Sequence, residues 1–360
     1  MPRTPNTALQ MLMQTAGLSP TQLARALRAV AAEHGSSVVC DHSTVRRWLA
    51  GARPRPPAPA LLLECLSRSL GRPVTVQEAG LTRAPATTVD PSWEADPVHK
   101  LVQLTAAELA PTRRTLASAS VFSLAVLLVP DLTLPGGSLT RRGPTGPDMR
   151  PGTAEAEHLR SLTTFFFNAA EQYGGQHIRP TLATYLAHHA TPLLHAPARE
   201  RVHRDLLNAT AQLTLLLGNL CADSGHDRTA QHYHQVAARL AADANDAATL
   251  AIALRTMATH AHDLGHHHPA VLNLAERAAH HARHAPPAIQ TYTLAHLGVI
   301  QARHDRHTAL ATVARAESMY RQTDAASGPF TAYPAGALHY QRAQALTALG
   351  DHTAALHALT

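Results

Sequence analysis

Apolar residues fall at helical spacing along most of the chain, and the pattern breaks into recognisable starts and stops. Ala8–Thr15 suggests a first helix. Ser19 as cap and Pro20 at the first helical position open a second, with Leu23, Leu27 and Val30 on one face. A polar connection, His34-Gly35-Ser36-Ser37, leads through Val38–Asp41 to Ser43–Gly51. There Val45, Trp48 and Leu49 form an inward set at i, i+3 and i+4. Gly51 and the prolines at 54, 56 and 57 end that helix. Ala60–Leu70, closed by Gly71, is a fourth helix, and Val76–Leu81 a short last turn.

Beyond this segment the pattern changes. Residues 83–100 read as a linker containing Pro and Asp. The run Leu116–Val129 is apolar but interrupted by three serines. Arg113-Arg114 before it superficially resembles a twin-arginine export signal, but the run has 14 residues, short of the roughly 20 needed to span a bilayer. A buried helix is the better reading. Pro135–Gly152, with five glycines and four prolines, reads as a flexible joint. From Ala154 onward helix follows helix. The expected domains are therefore 1–82, a connecting segment 83–153 with a buried helix and a Gly/Pro loop, and 154–360.

The last of these contains a repeat. Ala230, Ala270, Ala309 and Ala355 each open the second helix of a unit, and Gly225, Gly265, His304 and Gly350 lie five residues before them. Leu217-Gly218 and Ala237 occupy the small-residue positions of the first unit, whereas Arg277 replaces that alanine in the second. Units of about 40 residues are longer than the 34 of a tetratricopeptide repeat. The pattern predicts an α-solenoid of helical hairpins. Composition agrees: the chain is 45% hydrophobic but 4% aromatic, so Ala and Leu must build the core. The fold class is all-α.

Charge is unevenly placed. Residues 1–85 hold ten arginines (3, 25, 28, 46, 47, 53, 55, 68, 72 and 83) against Glu33, Asp41, Glu64 and Glu78. That net of +6 equals the net charge of the whole chain, so residues 86–360 balance. Concentrated positive charge beside a helix with two adjacent arginines points to nucleic acid, because phosphate neutralisation supplies most non-specific affinity. On the 43–51 helix, Ser43, Thr44 and Arg47 are placed to reach base edges and Arg46 a strand. Arg47 contacting a guanine through both guanidinium nitrogens gives about 1–3 kcal/mol of discrimination. His42 lies at the same helix end. Arg53 and Arg55 suit phosphates, as does the helix start at Thr21 and Gln22, where backbone N–H groups favour anions.

The segment resembles lambda-repressor-like (XRE-type) helix-turn-helix domains, with a longer connection between the second and third helices. The wider resemblance is to actinobacterial (Streptomyces-type) transcriptional regulators that join such a domain to tetratricopeptide-like repeats. It is carried by Asp41-His42-Ser43-Thr44-Val45-Arg46-Arg47-Trp48-Leu49-Ala50-Gly51-Ala52-Arg53-Pro54, by Ser69–Thr75 and by Glu78–Leu81. Tyr173-Gly174-Gly175, Arg179-Pro180 and Tyr185-Leu186-Ala187 extend it. The resemblance implies control of secondary metabolism or development.

Taken together, these features predict a cytoplasmic, sequence-specific regulator that binds double-stranded operator DNA. A homodimer is expected, since one short helix-turn-helix rarely secures enough affinity. The repeats would serve dimerisation and sensing of a peptide or small-molecule effector. The alternative is a helical-repeat interaction protein whose helix-turn-helix no longer binds DNA. Cys40, Cys65 and Cys221 are too few and too far apart for a disulfide framework, and the first thirty residues do not read as a signal peptide. The 26 histidines, among them His188-His189, His232, His234, His266-His267-His268, His280 and His284, read as surface residues on alanine-rich helices. No HExxH or paired CxxC is present, so neither a metal nor a cofactor is expected. No phosphate loop or nucleophile elbow points to catalysis.

Overall fold

A computed structural model describes residues 4–33, 37–81, 89–109, 122–130, 150–322, 329–330 and 333–359. The fold is all-α, with no strand among the described residues. Two compact units divide it: residues 1–95 with 106–128, and residues 96–105 with 129–360. Most of the Pro135–Gly152 joint lies outside the described residues.

The first unit contains α1 (Thr7–Thr15), α2 (Pro20–Glu33), α3 (His42–Leu49) and α4 (Ala58–Leu70). Leu9, Leu23, Leu27, Val45, Leu61 and Leu62 meet in one core, each with no accessible surface, and Trp48 closes its edge. Asn6 fastens three parts of this unit. Its Oδ1 caps α1 by accepting from Leu9 N at 2.9 Å, and its Nδ2 donates to Ala79 O at 3.0 Å and Gly80 O at 3.2 Å. Its own backbone N–H donates to Leu49 O at 2.8 Å, at the end of α3.

α5 (Pro97–Leu109) begins inside the segment read as a linker, and its Pro97, Val98 and Leu101 are buried. The helix expected over 116–129 is corrected in its described part. Phe122, Leu124–Leu127 and Val129 are buried as expected, but only a 3-10 turn forms, Leu124–Leu127. An extended residue opens the turn, and a side chain takes its first amide. Leu124 N donates to the buried Glu64 Oε1 at 2.9 Å, and Ser123 ahead of it is extended. Glu64 in turn accepts from Arg68 Nε at 2.7 Å, which keeps its charge compensated.

The second unit begins with α6 (Thr153–Tyr173) and α7 (Gly175–Tyr185), followed by a π-helical segment, Leu186–Ala190, and α8 (Thr191–His195). Pro192 lacks an N–H and sits at the change of pitch, where Thr191 donates both N–H and Oγ1–H to Leu186 O. Four hairpins follow among the described residues. They are α9 (Glu200–Asp223) with α10 (Asp227–Asp243), and α11 (Ala247–Asp263) with α12 (Pro269–His281). Next come α13 (Pro287–Gln301) with α14 (Arg306–Tyr320), and α15 (Ala335–Ala348) with α16 (His352–His357). The first helix of each hairpin packs on the first helix of the next, and the second helix on the following first. Ala230, Ala270, Ala309 and Ala355 are all buried at the expected positions. Gly225 and Gly265 turn with φ of 71° and 82°, conformations that disfavour a side chain.

Close helix approach replaces aromatic filling here. At Gly218 an added Cβ would lie 2.3 Å from His234 Cδ2, so the bare backbone of α9 makes room for a ring from α10. Gly298, 80 residues on, gives Val313 the same space, its Cβ position lying 2.6 Å from Cγ2. The reading of the histidines as surface residues is thereby corrected in part. His188, His189, His267, His268, His280 and His284 are exposed, but His203, His232, His234 and His296 are buried. His232, His234 and His296 add flat neutral rings to this aromatic-poor core beside Tyr233 and Phe166. Burial pushes His234 down to about 3 and holds His232 and His296 well below the ordinary histidine value. The sole lysine, Lys100, is buried as well and donates to Gln235 Oε1 at 2.9 Å.

Two outcomes are expected. Gly218→Ala should destabilise the C-terminal unit by roughly 1–2 kcal/mol, since the ring clash outweighs the gain in helix propensity; chemical denaturation measures it. Lowering pH from 7.5 to 5.5 should also destabilise this unit. The unfolded histidines take up protons near 6.5 while His234 remains neutral until about 3, so stability is lost progressively as pH falls between those values. His234 alone contributes about 1.4 kcal/mol of that loss at pH 5.5. Calorimetry at the two pH values should show the C-terminal transition moving down, and an unchanged transition would contradict the burial of neutral rings.

Candidate nucleic-acid interface

The site is built around the start of α3. Asp41 is extended, with φ −123° and ψ 178°, and its Oδ1 accepts Thr44 N at 2.7 Å. The same oxygen accepts the hydroxyls of Ser43 and Thr44, both at 2.8 Å. Arg47 Nη2 then donates to Thr44 Oγ1 at 3.1 Å. A carboxylate, two hydroxyls and a guanidinium therefore form one hydrogen-bonded chain. The Thr44 backbone bond, reinforced by the two hydroxyls, holds the Asp41 carboxyl well below the usual carboxylate range. The cap sets where α3 begins, and so which residues face outward: His42, Ser43, Arg46 and Arg47 are exposed, while Val45 and Trp48 are buried beneath them.

At its other end α3 stops at Ala50. Gly51 turns with φ 90°, and Ala52 N returns to Arg47 O at 2.8 Å. The turn that follows carries Arg53 and Arg55, both exposed. Thr21 and Gln22 are exposed at the start of α2. Gln22 has a structural task, because it forms a reciprocal capping pair with Ser19: Ser19 N donates to Gln22 Oε1 at 2.8 Å, and Gln22 N to Ser19 Oγ at 3.3 Å. Its amide oxygen is spent on the cap, which leaves the NH2 group for any contact.

The sequence reading missed Arg25 and Arg28, exposed on α2 and opposite Leu23, Leu27 and Val30. Arg28 is close enough to Cys40, just ahead of α3, to oppose the upward effect of burial on that thiol. The signal was present as helical spacing. The charge balance also resolves residue by residue. Glu33 and Glu64 pair with Arg68, each at 2.7 Å, Glu78 pairs with Arg72, and Asp41 is held by the α3 cap. Arg25, Arg28, Arg46, Arg47, Arg53 and Arg55 are left exposed without an acidic partner among the described residues. Cys40 and Cys65 are buried free thiols, and burial pushes Cys65 up to about 12, so neither is a reactive thiolate. Among the described residues no group of His, Cys, Asp and Glu is placed to hold a metal ion, and no helix is long and apolar enough to cross a membrane.

Replacing Asp41 by Ala should fray the first turn of α3, with amide exchange at Thr44 faster by about tenfold. Asn, which also caps, should restore most of the protection, and equal exchange in all three proteins would contradict the role given to this carboxylate. Compared with known proteins, the chain is similar over residues 9–82 to the family described as SP15 N-terminal domain. That match runs from α1 through the turn that holds Asn6, and no curated protein or solved structure matches the chain.

Proposed function

We propose that the chain is a sequence-specific DNA-binding transcriptional regulator. Its N-terminal unit docks on double-stranded DNA through α3, and its helical hairpins form a tetratricopeptide-like solenoid for dimerisation and sensing. The observation that carries this reading is the set of six exposed arginines on α2, α3 and the turn after it, in a region whose four acids are engaged elsewhere. A region that compensates each of its acids and leaves six cations outward presents a polyanion-binding surface. Arg47, steadied by Thr44, is the base reader of this proposal. Arg46, Arg53 and Arg55 meet phosphates, with Arg25 and Arg28 extending that contact along α2.

The hairpin stack fits the second half of the role. Each hairpin buries much of its surface against the next, so a bound ligand or a second copy can alter the stack over a long distance. The reading implies a protein that works in the cytoplasm, without a catalytic step and without a resident cofactor.

Selection from a random duplex library should enrich an inverted repeat. Arg47→Ala should relax the choice of one base in each half-site, while Arg53→Ala should weaken all sequences alike. For about five phosphate contacts per protomer, and so about ten in the dimer, raising salt from 50 to 200 mM should reduce affinity by roughly 10⁵-fold. Absence of DNA binding at low salt would overturn the proposal and favour a protein-docking role for the same surface.

A further inference from the structure

The second helices of successive hairpins differ in how much of their surface is covered. In α10 every residue from Ala230 to Ala238 is buried, so that helix keeps no open face over this stretch. Part of the cover comes from earlier segments of the same chain. Lys100 of α5 donates to Gln235 Oε1 at 2.9 Å, and Arg277 of α12 donates to the carbonyls of Val129 and Pro130. The second helices of the first two hairpins therefore serve as a surface on which other chain segments dock.

One hairpin further on, the same surface is open. A groove of about 620 Å³ runs between α12 and α14, with Leu294 and Leu297 of α13 as its floor. Glu276, His280 and Arg283 stand on its α12 side at i, i+4 and i+7, the last in the 3-10 turn that prolongs the helix. Thr308, Ala311 and Arg315 line the α14 side, and all six of these residues are exposed. Two guanidiniums and two imidazoles, those of His280 and His307, face one carboxylate, Glu276. Arg315 has no hydrogen-bond or ion-pair partner among the described residues, and Arg283 bonds to the rings of His280 and His284, which leaves its charge without a counterion there. Small residues, Ala279 and Ala311, lie between the cations and leave room above the leucines.

We propose that this groove docks an acidic segment of a partner protein, its carboxylates on Arg283 and Arg315 and an apolar side chain between them over Leu294 and Leu297. A guanidinium fork takes both oxygens of a carboxylate, and charge complementarity selects the partner. The two arginines stand on opposite walls and on different hairpins, which suits a segment long enough to span the groove. The apolar floor and Glu276 suit such a segment better than a nucleic-acid backbone. The docking continues, one repeat along, the use that α10 and α12 already make of Lys100, Val129 and Pro130. Binding itself is independent of DNA recognition; only its use in gene control rests on the regulator reading.

The test is fluorescence anisotropy of the full chain with a labelled peptide of repeated Glu-Glu-Leu, beside counterparts in which Gln or Lys replaces every Glu. The Glu peptide should bind one to one, and the Gln peptide about tenfold more weakly or worse. Arg283→Glu with Arg315→Glu should weaken the Glu peptide by about tenfold or more and gain affinity for the Lys peptide. Arg199→Glu with Arg201→Glu, an equal charge change at exposed positions off the groove, should leave the Glu peptide bound as before. Ala311→Trp should fill the groove and weaken the Glu peptide with no change of charge. These positions are exposed, so thermal unfolding of each variant should match the parent. No binding of the Glu peptide at millimolar concentrations, equal binding of the Gln peptide, or unaltered affinity in the groove variants would each overturn the proposal. So would an equal loss in the Arg199 and Arg201 control, or displacement of the peptide by an equal concentration of citrate or pyrophosphate, which would assign the arginines to diffuse attraction or to a small anion. Duplex DNA affinity should be the same in the groove variants and the parent, and a fall confined to those variants would overturn the proposal in favour of nucleic acid. Absence of DNA binding in the parent, with the peptide still bound, would count against the regulator reading alone.

Discussion

The contact of the Gly218 backbone with the His234 ring shows the constraint under which the C-terminal unit is built. With few aromatic side chains to fill space, helices must come close enough for Ala, Leu and Gly to exclude water between them. The repeat follows from that requirement. Small residues recur where backbones meet, at Ala230, Ala270, Ala309 and Ala355, and at Gly218 and Gly298.

The N-terminal unit solves a different problem, which is to carry many like charges on a small body. It does so by using its acids internally. Glu64 illustrates the economy: one buried oxygen accepts from Arg68 and from the Leu124 amide, joining α4 to a distant segment while neutralising a cation. Asp41 performs a similar double task at α3, ending the extended connection and ordering the hydroxyls that steady Arg47. The positive surface is thus what remains after the fold has used every carboxylate of the first 85 residues, and it is unshielded for that reason.

Much of this was legible in the sequence. The helical spacing of Val45 and Trp48, the proline at position 20 and the glycine at 51 placed α2 and α3 to within a residue or two, because caps and apolar stripes are local signals. The alanine series located the hairpins for the same reason. What was not legible depended on partners distant in sequence. An apolar run such as 122–129 has no marker for an acceptor 60 positions away, yet Leu124 N donates to Glu64 at the start of its 3-10 turn. Histidine has the same ambiguity: His232 and His280 look alike in a helix, and only tertiary packing makes one a core ring and the other a surface group. At the candidate interface, the sequence identified the outward arginines of α3 but did not show that Gln22 is committed to Ser19.

Asn6 has a consequence for how the N-terminal unit can be dissected. The similarity to the SP15 N-terminal family begins at residue 9, after the asparagine that joins Leu9, Leu49, Ala79 and Gly80. A fragment cut at that boundary would keep the apolar core of α1 to α4 and lose the clasp between its first helix, its outward helix and its final turn. The natural limit of the folded body therefore lies upstream of the similarity, and a minimal active fragment has to start early enough to include position 6.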